Sequence, residues 1–348
     1  MAISNSPLVS IGLPVYNGER FVSCAIESIL QQTFTDYELI ISDNASTDRT
    51  AEICLAYAAK DSRVRYQRLE INIGAKANFN RVFELARGKY FKWVAADDVC
   101  GPKYLELTVD VLEKDPSVIL AHTRTEVIDG KGAVLKHEEL ARGIVFDEGL
   151  PVSVRPPDRP RKLAAPLAHQ RFHEVLLGTR WCFETFALIR RQAMVATYPH
   201  MPFYGSDKVM LAQLSLMGKF HEVLDTQFFR RAHHGNSTNM TVVARETWSR
   251  PQKASWQLPT QFPCLAGYTR AAIWLPSSLG DRLRCLGVVM IFILRPLRYR
   301  KLASELFMLA RCRFGYGQKR TAPEAAQPHA LSSRLVAGRP VTGLPGKE

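Results

Sequence analysis

From Leu8 to His122 the chain alternates short, densely apolar runs with segments whose apolar residues recur at helical spacing. Leu8–Val15, Tyr37–Ser42 and Tyr90–Ala95 carry too few polar positions for a strand with one wet face, so each reads as a strand buried on both sides. Val64–Leu69 alternates more openly, and Val118–His122 closes the series. Between them, Phe21, Cys24, Ala25, Ser28 and Ile29 mark one side of a helix, as do Ile53, Tyr57 and Ala58 within Thr47–Lys60. Ala77–Arg87 predicts a third helix with Gly88 as its left-handed stop, and Pro102–Lys114 a fourth. Alternation at these lengths predicts right-handed βαβ units: an α/β fold, Rossmann-like, with a mostly parallel sheet and helices on both faces. Such sheets bind ligands at the carboxyl ends of their strands. The polar loops after Val15, Ile41 and Ala95 fall there.

Past residue 125 the pattern changes. Asp129–Gly132 predicts a hairpin turn, and the proline-rich stretch Pro151–Pro166 a loop over a site or a plain connection. Helix and strand signals resume over 167–231, including an apolar strand at Val223–Phe229. Beyond about residue 245 the alternation is lost, and Thr321–Glu348 reads as a disordered tail. The expected organisation is an α/β domain over 1–240 (halves 1–125 and 126–240), a basic helical extension over 241–320, and the tail over 321–348. There is no internal repeat.

Charge sharpens this division. The formal net charge of +13 comes from the second half: residues 1–150 hold 17 Lys and Arg against 22 Asp and Glu, residues 151–348 hold 29 against 11. Over 281–320 there are ten basic residues and two acidic ones, interleaved with Leu283, Leu286, Val288, Ile291, Phe292 and Leu294. That pattern suits either an anionic membrane surface or a helix packed on the α/β domain with a basic outer face. No nucleic-acid module accompanies it, so nucleic acid is not an expected partner. Leu286–Leu294 is too short to span a bilayer, and Met1–Pro7 lacks the marks of a secretory signal. The seven cysteines form no C-x-x-C pair and read as free thiols of a reducing cytoplasm. The expected location is cytoplasmic, with peripheral membrane contact through 281–320 as one of the two readings of that segment.

Four constellations at strand ends carry candidate chemistry. In Pro14-Val-Tyr16-Asn17-Gly-Glu19 the Tyr16 ring offers a face on which a base stacks, although alone the run is an ordinary turn. In Asp43–Thr50, Ser46 or Thr47 reads as a helix cap, but capping does not need Asp43, whose carboxylate is placed to accept from a base N–H. In Asn72–Asn78, Gly74 permits close backbone approach and Lys76 stands near a helix N-terminus that favours anions; the alternative is a turn and cap. Asp97 and Asp98 are adjacent carboxylates ending an apolar strand. Such a pair repels itself and persists where a cation resolves the repulsion, magnesium or manganese with substrate phosphates being the hard-oxygen match; a solvated turn is the bland alternative.

In their order and spacing, Pro14–Glu19, Glu38–Thr50, Asn72–Gly74 and the Asp97–Asp98 pair resemble glycosyltransferase family 2, closely over residues 8–130 and more loosely to about residue 240. The resemblance implies the GT-A fold and transfer of a sugar, with inversion, from a UDP-, dTDP- or GDP-sugar to a hydroxyl on a glycan or lipid-linked acceptor, as in cell-envelope glycan synthesis. It implies donor contacts from Pro14, Tyr16, Asn17, Glu19, Asp43, Asn72, Gly74, Lys76 and Asp97, and a divalent Mn2+ or Mg2+ on Asp98 with Asp97. Asp207, opening a helix with apolar positions Met210, Leu211, Leu214 and Met217, falls where the family keeps its catalytic base; read without the family it is an N-cap. Arg231 and His233 fall where the family meets the leaving diphosphate; read alone they are an exposed basic loop. Where most relatives carry a third acidic residue two places before Asp97, this chain has Ala95, so a metal rests on fewer carboxylates. Glu184 and Asp225 are the next carboxylates to consider as base. A sugar-phosphate nucleotidyltransferase would carry a Gly-rich basic loop at Pro14–Arg20, and a nicotinamide enzyme a G-x-G-x-x-G there; neither is present. A non-catalytic carbohydrate-binding relative would have lost Asp98 or Asp207, and both are retained.

Overall fold

The computed structural model describes residues 6–303 apart from 155, 157, 198–202, 250–260, 277, 297–298 and 300–301. The expected tail and the last part of the basic segment lie outside these residues. In chain order the elements are β1 (Val9–Val15), α1 (Val22–Leu30), β2 (Tyr37–Asp43), α2 (Thr50–Lys60), β3 (Val64–Arg68), α3 (Ala75–Glu84), β4 (Tyr90–Trp93), β5 (Val99–Cys100), α4 (Tyr104–Lys114), β6 (Val118–Ile128) and α5 (His137–Arg142). There follow β7 (Ile144–Asp147), β8 (Leu150–Ser153), α6 (Ala168–His173), β9 (Leu188–Arg190), α7 (Arg191–Val195), α8 (Ser206–Met217), β10 (Lys219–Arg231), α9 (Val242–Ser249), α10 (Gln261–Trp274) and α11 (Leu279–Leu294).

Eight strands form one sheet in the order β3-β2-β1-β4-β9-β6-β10-β5, and β7 and β8 form a separate hairpin. The left half, β3-β2-β1-β4, is parallel throughout, with Val9 opposite Tyr37 on one side and Tyr90 on the other. Every residue of β1 and β2 is buried, which is why both read as continuous apolar runs. The three-residue β9 is antiparallel to both neighbours: its Ile189 sits between Phe91 of β4 and Leu120 of β6.

The sheet is covered on both faces. On one, Val9, Ile11, Leu13 and Val15 pack with Val22, Ile26 and Ile29 of α1 and Tyr104, Leu105 and Val109 of α4. On the other, Phe91 and Trp93 pack with Val82 and Phe83 of α3, and this core runs on through α8 into Tyr268 and Ala271 of α10 and Val288 and Phe292 of α11. The helical extension expected after residue 240 therefore shares a core with the sheet. Among the described residues no helix is long and apolar enough to cross a membrane.

Two local expectations change. Gly88 is not a left-handed stop: α3 ends at Glu84, and Gly88 is absent from the positive-φ residues. It is required because a Cβ there would lie 2.6 Å from the backbone nitrogen of Ser10, where the loop presses onto β1. Neither Ser46 nor Thr47 caps α2, which begins at Thr50; Asp48 Oδ1 instead accepts from Thr50 N at 3.0 Å. The hairpin turn at Asp129–Gly132 is present, with Gly132 at φ +92° and Asp129 N donating to Ala133 O at 2.9 Å.

Candidate active site

A cleft of about 1020 Å³ opens at the carboxyl ends of β1, β2 and β4. Its left wall is made of loops that brace one another through asparagine and hydroxyl side chains. Asn17, at φ 49°, accepts from Thr47 N at 2.8 Å, while Ser46 Oγ accepts from Asn17 N at 2.9 Å. Asn44 donates to Asn72 Oδ1 and accepts from Ile73 N, both at 2.9 Å. Gly74, at φ 88° and ψ 154°, turns the chain into α3, a conformation essentially confined to glycine. Pro14, Tyr16, Asn17, Asn72 and Lys76 line the cleft, joined by Asn44 and Asn78.

Three other expected donor residues stand behind this wall. Asp43 is fully buried; its Oδ1 accepts from Ser46 N and its Oδ2 from Tyr66, both at 2.8 Å, so it holds the loop in shape. Glu19 accepts from Arg49 N at 3.0 Å and faces away from the cleft lining. Gly74 shapes the turn without lining the space.

Asp97 and Asp98 both line the cleft. Asp97 Oδ2 lies 2.8 Å from His233 Nε2 and 3.0 Å from Asn236 Nδ2. Burial works against the Asp97 charge, but the His233 ring holds its carboxyl below the usual range. Asp98 is only 4% exposed and accepts from Arg231 N at 2.9 Å. Burial, then the charge on Asp97, pushes the Asp98 carboxyl up to about 8. The pair is thus short of positive charge. Among the described residues no group of three His, Cys, Asp or Glu is arranged to hold a metal by itself. A hard divalent ion that takes one or two carboxylates and completes its shell with phosphate does fit this pair.

Arg231 corrects an expectation. Its guanidinium is turned inward, donating to Asp97 O at 2.9 Å and Asp129 O at 3.2 Å beneath the Phe21 ring, and it does not line the cleft. The neighbouring Arg230 does, lying 4.9 Å from the centroid of Trp181, which stacks parallel on Phe183. His233 lines the cleft. Asp158, in the proline-rich segment, accepts from the backbone of Arg180 and Trp181, so that segment props the aromatic wall.

Asp207 lies in the first turn of α8 and lines the cleft. The N-cap is Gly205, and no side chain caps the helix, so the capping alternative is not what the structure contains. Together with Asp97 and Asp98 it completes the carboxylates among the described lining residues. Glu184 is buried against Arg161, and Asp225 is exposed on β10; neither lines the cleft.

A clamp that the sequence did not announce ties three loops at the rim. Asp147 receives both terminal nitrogens of Arg20, at 2.9 and 2.8 Å, and His234 Nδ1 at 2.8 Å. The Arg20 bond holds its carboxyl far below the usual range. A depressed folded pKa gives stability that is present above the ordinary carboxylate pKa and is lost as pH falls through the folded one. Asp147→Asn is therefore expected to cost about 2 kcal/mol at neutral pH, Arg20 being partly solvated. The difference should shrink below about pH 4. Melting temperatures of both proteins across this range check it, and a deficit that does not change with pH counts against the clamp.

The chain matches the family model described as Glycosyl transferase family 2 over residues 10–195, just over half its length. An uncharacterized glycosyltransferase of Methanocaldococcus jannaschii is 35% identical over 134 residues, 38% of this chain and 46% of that protein. The chondroitin synthase of Escherichia coli is 36% identical over 131 residues, 38% of this chain and 19% of that protein. The matches thus span less than half the length of these relatives. A crystal structure of S. aureus TarS 1–349 in complex with UDP-GlcNAc superposes with a TM-score of 0.53 at 14% identity, covering 87% of this chain and 80% of that one. At that identity the likeness is one of fold.

Proposed function

Because the chain belongs to glycosyl transferase family 2 and has the GT-A fold, we propose that it moves a sugar from a nucleoside-diphosphate donor to a hydroxyl of a glycan or lipid-linked acceptor, with inversion. One observation carries this reading: three carboxylates, Asp97, Asp98 and Asp207, line one cleft at the strand ends, two paired and one apart.

The base of the donor lies against Tyr16, Asn44 and Asn72, with Lys76 near the phosphates. Asp43 and Glu19 act from behind, by fixing these loops. Asp98, with Asp97, would hold a divalent Mn2+ or Mg2+, which would supply positive charge against the leaving diphosphate. Arg230 adds positive charge there, in the role the sequence suggested for Arg231, and His233 holds Asp97 in place. Arg231 instead fixes the pair through its backbone N–H to Asp98.

Asp207 accepts the proton of the attacking hydroxyl. The bond from acceptor oxygen to anomeric carbon forms on the face opposite the breaking bond to the diphosphate, through an oxocarbenium-like transition state. The protein's share is to align two reactants, exclude water and remove one proton. TarS, solved with UDP-GlcNAc, makes uridine the first nucleotide to try.

The reading is tested by thermal shift with UDP-, dTDP- and GDP-sugars, each with and without manganese. One nucleotide should stabilise the fold, by about 3 kcal/mol at a hundredfold excess over its Kd, and more so with metal. No shift with any of them would overturn the assignment.

A further inference from the structure

Helix α11 is apolar on two opposite sides. Cys285, Val288, Val289 and Phe292 face the core at 0, 6, 3 and 3% exposure, with Phe292 against the Tyr268 ring at 5.0 Å. Leu279, Leu283, Met290, Ile291 and Leu294 are 71, 61, 52, 50 and 65% exposed. At 3.6 residues per turn these five fall within an arc of roughly 120°, centred opposite the buried four. Trp274, which ends α10, is 75% exposed. A helix on a protein surface normally turns polar residues outward, and single exposed leucines are ordinary, but a continuous row of this kind marks a surface that something covers.

The charges flanking the row say what. By the same helical count Arg284 and Arg295 stand along one edge of the stripe and Arg282 along the other, all exposed. Asp281 lies 3.4 Å from Arg284, while Arg282 and Arg295 each donate one N–H to a backbone carbonyl, Pro276 O at 3.2 Å and Leu177 O at 3.0 Å, and keep their other donors for a ligand. The chain around them is basic, ten Lys and Arg to two acids over 281–320. Apolar side chains in the middle with arginines at both margins match an interfacial helix, whose leucines enter the acyl boundary while the arginines reach headgroup phosphates. A second copy fits less well: two-fold apposition would set the arginines of one chain against those of the other.

We propose that the outer face of α11, with Trp274, docks on an anionic lipid surface. Helix α10, on which α11 packs through Tyr268, also lines the cleft through Gln261, Cys264 and Tyr268, so the buried side of α11 lies close to the cleft while its outer face points away from the core. On the transfer reading above, an acceptor carried on a lipid reaches the cleft without leaving the surface; the docking itself does not depend on that reading.

The test is flotation of the full-length protein with vesicles of phosphatidylcholine alone and of phosphatidylcholine mixed with phosphatidylglycerol. The protein should float with the mixed vesicles, bind the neutral ones at least about tenfold more weakly, and be released in part by high salt. Leu283→Glu/Met290→Glu/Leu294→Glu should weaken binding by about a hundredfold or more, since burial of each apolar side chain is lost. Arg284→Gln and Arg295→Gln should each cost about fivefold, on anionic vesicles only. Trp274→Ser, a milder change, should cost about tenfold and guards against misfolding of the triple variant. Melting temperature and nucleotide binding without vesicles should be unchanged in all of them, so failure of docking is read separately from failure of the catalytic assignment. Wild-type protein that stays unbound, or a triple variant that floats as well as wild type, overturns the proposal. So does a triple variant that turns a vesicle-free dimer into a monomer, because the face is then a seam between copies.

Discussion

Asp207→Asn is expected to leave fold and donor affinity intact while turnover falls by about 10²–10⁴, the usual worth of a general base. Asparagine keeps the size and hydrogen-bonding reach of aspartate and loses only the capacity to take a proton. Because no side chain caps α8, the substitution removes no capping bond, and a stability change would itself be unexpected. The loss should fall on the chemical step with the Kd for donor unchanged, since the acceptor proton moves only in the transition state. Single-turnover rates and nucleotide titration separate the two. A variant of nearly full rate removes Asp207 from the chemistry. Neither reserve carboxylate would then replace it easily: Glu184 is locked to Arg161, and Asp225 lies on the exposed part of β10.

Asp98→Asn should do two opposite things. Transfer should fall by roughly 10³ or more, with the manganese-dependent part of donor stabilisation, because the charge opposing the developing diphosphate is gone. The metal-free protein should nevertheless become more stable. Folded Asp98 titrates near 8 because it is buried beside Asp97, whereas in the unfolded chain it ionises near 4. Between those values the unfolded state gives up a proton that the folded state retains, so the wild-type fold loses stability as pH rises from about 4 to about 8 and then levels off. Asparagine accepts the Arg231 N–H equally well and carries no such cost. The gain in melting temperature should therefore be small near pH 5 and largest above pH 8, in the presence of chelator. A gain that is flat with pH, or a loss, contradicts the strained pair.

The left half of the sheet was legible because β1, β2 and β4, buried on both faces, leave few polar positions, and because each strand ends in a run whose side chains have work to do. Tyr16, Asn72, Lys76, Asp97 and Asp98 all reach the cleft for that reason. What was not legible is side-chain parity and short elements. The long strand β10 shifts register at Val223, Thr226 and Phe228, so counting alternate residues along it does not tell which of Arg230 and Arg231 faces the cleft. Asp43 ends β2 where the sequence suggested an open loop, but Ser46 and Tyr66 close over it, a contact between residues 23 apart that no local pattern carries. The Arg20–Asp147 clamp spans 127 positions and is invisible for the same reason. At three residues, β9 is below the length at which periodicity means anything. Only the pairing of Trp181 with Phe183 two places on hinted at the aromatic wall.

That short strand has a consequence for how the molecule comes into being. Since β9 separates β4 from β6, the middle of the sheet cannot zip up while the chain is being made in order; it waits for residues 188–190, about seventy residues after β6 begins. Strands β1 to β4 can pair early, since all lie within residues 9–93, β1 with β2 and β2 with β3 as sequential neighbours and β4 returning beside β1. The carboxylate pair at the end of β4 is different. Its anchor is the N–H of Arg231, in the strand that arrives last. Long-range pairing of this kind is slow because loop closure must precede any reward. A nascent chain therefore carries the β1–β4 half of the sheet before the strands that complete the cleft, β9 and β10, have been made.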